Sequence, residues 1–440
     1  MLKTLQNMFK VKDIRNKLLY TFMMLVVIRI GSQLPIPGVN RTYFADWFDQ
    51  TKSTGDAFSF FNAITGGSFE DMSIFALSIT PYITSSIIMQ LMTIVIPKLE
   101  EWHKDGEDGR KKIASITRYV TVILAFVEAF GFAVGFGKSG LLQEYNFFNV
   151  AVAIVTMTAG SAMLMWIGER ITEKGVGNGI SIVLLINIIS RLPQDISTLF
   201  EQFVFGKDIG KATIGIAAIV AVILFTTVFV IVLQGGERRI PVQYAKKAQG
   251  GRMVGGQNTF IPLKVNTAGV VPIIFASSIF QMPIVIASLM GKGQGTGIGS
   301  QILATMNSGN WFNPNKPVYS VGLVVYIIMV VAFAYFYTSI TFNPLEVANN
   351  IKRQNGCIPG IRSGKPTSDY LTKILNYIVF VGACGLILVQ IIPFICNGVF
   401  GASVSFGGTS LIIIASVILE TMKQIESQMR VRYYKGFLSD

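Results

Sequence analysis

Apolar runs recur along the chain near residues 18–35, 72–96, 114–136, 148–167, 178–192, 213–233, 267–290, 318–341, 374–395 and 409–425, with polar, mostly basic segments between them. As helices rising 1.5 Å per residue, runs of about 20 residues cross the roughly 30 Å hydrocarbon core of a bilayer. The pattern therefore predicts an all-α polytopic membrane protein with ten transmembrane helices. The fifth and tenth runs are short, and the first contains Arg29, Ser32 and Gln33, so these three need independent support.

Charge provides it. Outside the runs, 27 Lys and Arg fall in the N-terminal segment and every second loop, against 7 in the alternate loops. A missed or extra span would scramble this alternation. By the positive-inside rule both termini are expected in the cytoplasm. Lys3, Lys10, Lys12, Arg15 and Lys17 precede the first run and no small-residue cleavage site follows Leu34, which reads as an uncleaved first span. Of 440 residues 51% are hydrophobic and 14% charged, a balance that a soluble core cannot absorb. Three cysteines (Cys357, Cys384, Cys396) and a single histidine, His103, provide neither a disulfide framework nor a metal-ligand set. No metal or cofactor is expected.

Residues 54–67 are apolar but too short to cross, and precede the second run on the external side. They read as a short re-entrant or capping helix, or as one lying on the outer surface. An internal repeat bears on the rest. Pro81, Ile83 and Gln90 recur as Pro272, Ile274 and Gln281, 191 residues later; Gly179, Ser181 and Leu184 recur as Gly408, Ser410 and Ile413, 229 residues later. With five spans per half, the second half enters the membrane in the opposite sense, the inverted-repeat plan of many transport proteins. The expected layout is an N-terminal tail (1–17), a first half (18–192), an external linker (193–212), a second half (213–425) with long loops at 234–266 and 342–373, and a C-terminal tail (426–440).

Ion and proton carriers keep ionisable groups at mid-depth, where an intramembrane charge costs roughly 2.5–3.5 kcal/mol. Here the candidates reduce to Glu128, Glu420 and Arg29, each readable as a structural partner. The repeated positions offer bulky aliphatics instead. Ile83, Ile87, Leu184, Ile274 and Ile413, with Ile188 one turn after Leu184, suit a hydrophobic collar that excludes water by dewetting. A secondary transporter of a small solute is the alternative. No GxSxG, HExxH or paired intramembrane aspartate supports an enzyme, and no catalytic residue is expected.

Several long segments then carry a resemblance: RIGSQLPIPGV, SIFALSITPYITSSIIMQL, GVGNGISI, ERRIPVQYAKK, PLKVNTAGVVPIIFASS, NPLEVANNIKRQNGCIPGIRSGK and FGGTSLIII. Over essentially its whole length the chain resembles the SecY family, the central subunits of the bacterial protein-conducting channel. The resemblance implies a ten-helix clamshell in two inverted halves around an hourglass pore, in the cytoplasmic membrane. It implies a pore ring of Ile83, Ile87, Leu184, Ile188, Ile274 and Ile413, and an external plug including Phe58, Phe60, Phe61 and Ile64. A lateral gate would carry Ser86, Gln90, Ser278 and Gln281. Arg238, Arg239, Lys246, Lys247, Arg252, Arg362 and Lys365, in the two long basic loops, would dock the SecA motor or the ribosome. Further implied partners are the small subunits SecE and SecG, signal peptides, unfolded preproteins and membrane lipids. GIRSGKPT is not a nucleotide loop: its spacing departs from GxxxxGK[ST], and Pro366 follows the lysine.

Overall fold

The computed structural model describes residues 11–52, 62, 64–205, 209–244, 247–249, 252–254, 258–289, 298–311, 317–400 and 408–435. Each of the ten apolar runs coincides with a helix. In chain order these are α1 (Lys12–Gly31), α3 (Thr80–Val95), α5 (Glu107–Phe136), α6 (Phe147–Lys174), α7 (Gly179–Phe203), α8 (Ile209–Gly235), α9 (Val271–Leu289), α11 (Ser320–Thr341), α13 (Lys365–Phe400) and α14 (Gly408–Lys435). Shorter helices are α2 (Arg41–Lys52), α4 (Pro97–Lys104), α10 (Ile298–Met306) and α12 (Pro344–Arg353).

Six of these helices (α5, α6, α7, α8, α11 and α13) are long and apolar enough by themselves to span a membrane, and α3 with α4 makes a seventh candidate. The short fifth run thus gains length, because α7 continues through Pro193 to Phe203. α1 and α14 fall outside this group for a visible reason. α1 carries Lys12, Asp13, Arg15 and Lys17 in its first turns and Arg29 near its end, and α14 turns polar from Glu420 onward. α3 and α4 meet at 107°, because Ile96 is extended ahead of Pro97, as the residue before a proline prefers to be.

By contacts the described chain forms two compact units. The first holds residues up to Glu201 with Pro283–Leu303 and the chain from Val417; the second holds Gln202–Met282 and Ala304–Ser416. In the first unit, Ala125, Ala129 and Ala133 line one face of α5 at four-residue spacing, and small residues let membrane helices approach closely. Phe132 and Phe136 from α5 join Phe44, Trp47 and Phe69 in edge-to-face and stacked pairs. Phe69 thereby ties the irregular segment before α3 into the core. On α6, a Cβ at Gly160 would collide with the carbonyl of Ile74, so this glycine is what admits the same segment.

In the second unit, Trp311 is fully buried with Phe280, Tyr326 and Phe394 around it, and its indole N–H donates to the Thr305 carbonyl at 2.8 Å. The two long loops are not featureless. Strand β1 (Glu237–Tyr244) pairs antiparallel with β4 (Asn258–Lys264), Ile240 opposite Ile261, and β1 also pairs with β5 (Gly356–Cys357). Strands β2 (Lys247–Gln249) and β3 (Arg252–Val254) form a separate hairpin. Ile240, Val242 and Leu263 bury against Ile351, Ile358, Leu371 and Ile374. The bundle is helical as expected; among the described residues, sheet is confined to these loops. α12 starts where NPLE says it should: Asn343 accepts from the Leu345 and Glu346 N–H groups, Pro344 opens the helix, and Lys352 and Arg353 close it.

Candidate functional site

In the first unit Leu184 and Ile188 lie one turn apart on α7, both buried, and Ile83 and Ile87 lie one turn apart on α3, both half-buried. The Asn187 side-chain amide on α7 donates at 3.0 Å to Ser78 Oγ, in the segment just ahead of α3. Ile79, fully buried, caps the start of α3 one turn before Ile83. In the second unit Ile274 sits on α9 and Ile413 on α14, each beside a neighbour, Ile273 and Ile412, that is sealed into the core.

The segment leading into α3 rests on α7. Gly66 has a positive φ of 69°, and a Cβ there would come within 2.6 Å of the Asn187 carbonyl oxygen. Only glycine permits that approach. Ser190 Oγ, which donates to the Asn187 carbonyl at 2.7 Å, lies 3.5 Å from the Gly66 carbonyl. Of the expected plug residues, Ile64 is buried at this contact-rich end; Phe58, Phe60 and Phe61 lie outside the described residues.

On the two helices expected to carry the gate, the polar contacts to neighbouring helices come from the residues beside Ser86 and Ser278. Ser85 is buried and accepts from Thr121 Oγ on α5 at 3.0 Å, while Ser86 is half-buried and Gln90 exposed. Ser277 is buried 3.3 Å from the Tyr326 hydroxyl on α11, while Ser278 is exposed. Gln281 lies on α9. Ser86 and Ser278 therefore occupy the neighbouring, more accessible face of each helix.

The basic loops converge. The β1–β5 pairing places Arg238 and Arg239 on the same small sheet whose edge strand leads directly to Arg362. Arg239 is held by Glu237 at 2.7 Å and lies over the Phe260 ring at 4.7 Å. Arg362 is exposed, on a loop fixed by its own carbonyl accepting from Thr367 Oγ at 2.8 Å and by Ser363 Oγ donating to the Gly356 carbonyl at 3.4 Å. Lys365 opens α13, whose first turn has no acidic residue. A cation at a helix N-terminus opposes the macrodipole, so this charge does not stabilise its own helix. Lys247 and Arg252 lie on β2 and β3; Lys246 lies outside the described residues.

The sequence profile of the SecY family matches residues 73–422. The protein translocase subunit SecY of Halalkalibacterium halodurans is 43% identical over 445 residues, covering 100% of both chains. The chain belongs to the SecY family. SecY-like architecture follows, and with it a multi-pass membrane protein. A solved structure concerned with the plug domain of the SecY protein, said there to stabilise the closed state of the translocation channel, superposes with a TM-score of 0.64 at 18% identity, covering 94% of this chain and 92% of that one. Sec61 in the canine ribosome–channel complex superposes with a TM-score of 0.59 at 18% identity and the same coverage. Membership of the SecY family also accounts for the ten-helix plan that the apolar runs predicted.

Proposed function

We propose that this chain is the central channel subunit of a bacterial protein translocase, passing unfolded secretory polypeptides across the cytoplasmic membrane and releasing hydrophobic segments sideways into lipid. Full-length identity to a named translocase subunit carries the reading, and the residues supply a mechanism. Ile83, Ile87, Leu184, Ile188, Ile274 and Ile413 line the conduit. Aliphatic side chains suit this task because they dewet a narrow passage yet bind no particular sequence. The external segment around Phe58–Ile64 is the plug. Ser86, Gln90, Ser278 and Gln281 face the lateral route taken by a signal peptide.

Both termini and the basic loops lie in the cytoplasm. There Arg238, Arg239, Lys246, Lys247, Arg252, Arg362 and Lys365 receive either the SecA motor or the ribosome, the latter partly through RNA phosphates. The ribosome-bound Sec61 neighbour supports that partner class. SecE and SecG complete the assembly. The energy for transport comes from the partner, and the chain itself performs no covalent chemistry.

Reconstitution tests this. In vesicles holding the chain with SecE and SecG, addition of SecA, ATP and a preprotein is expected to yield protease-protected preprotein. Uptake of a small solute down its gradient, with no protected preprotein, would instead favour the transporter reading.

A further inference from the structure

Burial alone gives α9 little basis for choosing a face. From Val271 to Leu289 its sequence is VPIIFASSIFQMPIVIASL, apolar almost all round. A helix of that composition has no hydrophobic stripe to set its rotation, and Ile273 and Ile274 are the same residue side by side. Yet the structure treats them differently. Ile273 is 0% exposed, with Ala276, Ser277 and Phe280 on the same buried side, whereas Ile274 is half-buried and Ser278, Ile279 and Met282 are exposed. Something other than apolar area selects this rotation.

A polar contact on the buried side does so. The Ser277 and Tyr326 hydroxyls lie 3.3 Å apart, and Tyr326, 3% exposed on α11, has the Phe280, Trp311 and Phe394 rings around it. A hydroxyl enclosed in this way is shut off from water, so a lost partner is not replaced. Turning α9 by one residue, about 100°, fails in either sense. One sense sets Ala276 opposite the Tyr326 hydroxyl and orphans it. The other keeps a hydroxyl there, from Ser278, but puts a glutamine, Gln281, where Phe280 meets the Trp311 ring at 5.8 Å. Phe275 also stacks on Phe333 of α11 at 5.2 Å, so the two helices stay together without the bond. Stacked rings tolerate sliding and turning; a hydroxyl pair in an apolar box does not.

We propose that the Ser277–Tyr326 bond is the key that sets the rotation of α9, so that Ile274 rather than Ile273 meets the transported chain, and Ser278 rather than Ser277 faces the lateral route. Ser277 and Tyr326 act as positioning residues: neither touches the transported chain. Polar pairs suit this task inside a membrane bundle, because they single out one packing among several of similar apolar content. This rests on the conduit reading above.

The experiment is disulfide capture, in vesicles, of a stalled preprotein carrying one cysteine. The channels have Cys357, Cys384 and Cys396 replaced by serine and carry either Ile274→Cys or Ile273→Cys. The readout is the ratio of capture at the two positions, each per assembled channel. The parent is expected to favour Ile274→Cys by about tenfold or more, and Tyr326→Phe and Ser277→Ala, which each remove one hydroxyl, should lower that ratio about fivefold. Combining Ser277→Ala with Tyr326→Phe leaves neither hydroxyl orphaned, so the amount of channel should recover while the ratio stays low. Where Ile273→Cys does not accumulate, Ala276→Cys on the same buried side takes its place. A purely structural role would lower the amount of channel and leave the ratio at the parent's value, which overturns the key. Equal capture at 273 and 274 in the parent also overturns the key and leaves the conduit reading standing. If the parent captures the chain at neither position, the conduit reading itself fails.

Discussion

Vesicles carrying Leu184→Ser, Ile188→Ser channels are expected to leak potassium roughly a hundredfold faster than the parent, which corresponds to about 2.7 kcal/mol of lost preference for the closed state. Both residues are buried and one turn apart on α7, so they present a continuous apolar surface. Burying such a side chain is worth about 1.5–3 kcal/mol, and a hydroxyl in its place both shrinks the contact and recruits water. Serine is chosen over glycine to spare the helix, since glycine would cost a further ~1 kcal/mol per position in propensity alone. Neither substitution touches the bond from Asn187 to Ser78, just ahead of α3. Efflux equal to the parent's would show that these side chains do not form the seal.

Arg362→Glu is expected to lower SecA-driven preprotein transport by about two orders of magnitude, the scale at which a central interface arginine acts, about 2–4 kcal/mol. The substitution leaves the fold alone. Arg362 is exposed, makes no ion pair among the described residues, and contributes only its carbonyl to the loop, through Thr367 Oγ. Gly364, with φ of 106°, sets the turn that presents it. Assembly with SecE and SecG should be unchanged, and the residual transport should fall further with salt as the remaining basic groups are screened. Transport at the parent's rate would remove Arg362 from the docking surface.

Legibility from sequence followed the range of the interaction. The ten helices were readable because length and hydropathy are local, and even the 107° break between α3 and α4 was announced by Pro97. Interhelical contacts were not legible in this way: Ser85 and Ser277, not named from the sequence, make bonds to neighbouring helices, because which side of a helix meets a partner depends on a partner the sequence does not name. The β1–β5 pairing, which unites two loops read as separate, joins residues more than a hundred positions apart through a two-residue strand with no periodicity of its own. Arg191 lies in the fifth apolar run, while the Glu70 carboxylate that pairs with it, and the Asn62 amide on that same carboxylate, lie in a different stretch of sequence. The arginines expected to dock a partner come from resemblance, and the structure adds that Arg238 and Arg239 share one sheet whose edge strand leads to Arg362, with Arg252 on a separate strand pair.

The most direct test of the conduit is site-specific crosslinking of a preprotein stalled in transit. Photoreactive probes placed singly at Ile83, Ile188 and Ile274 should each capture the stalled chain, whatever its local sequence, and should fail to do so without the motor. Capture only at exposed positions away from the collar, such as Phe225 on α8 or Phe126 on α5, with none at the three collar sites, would contradict the account.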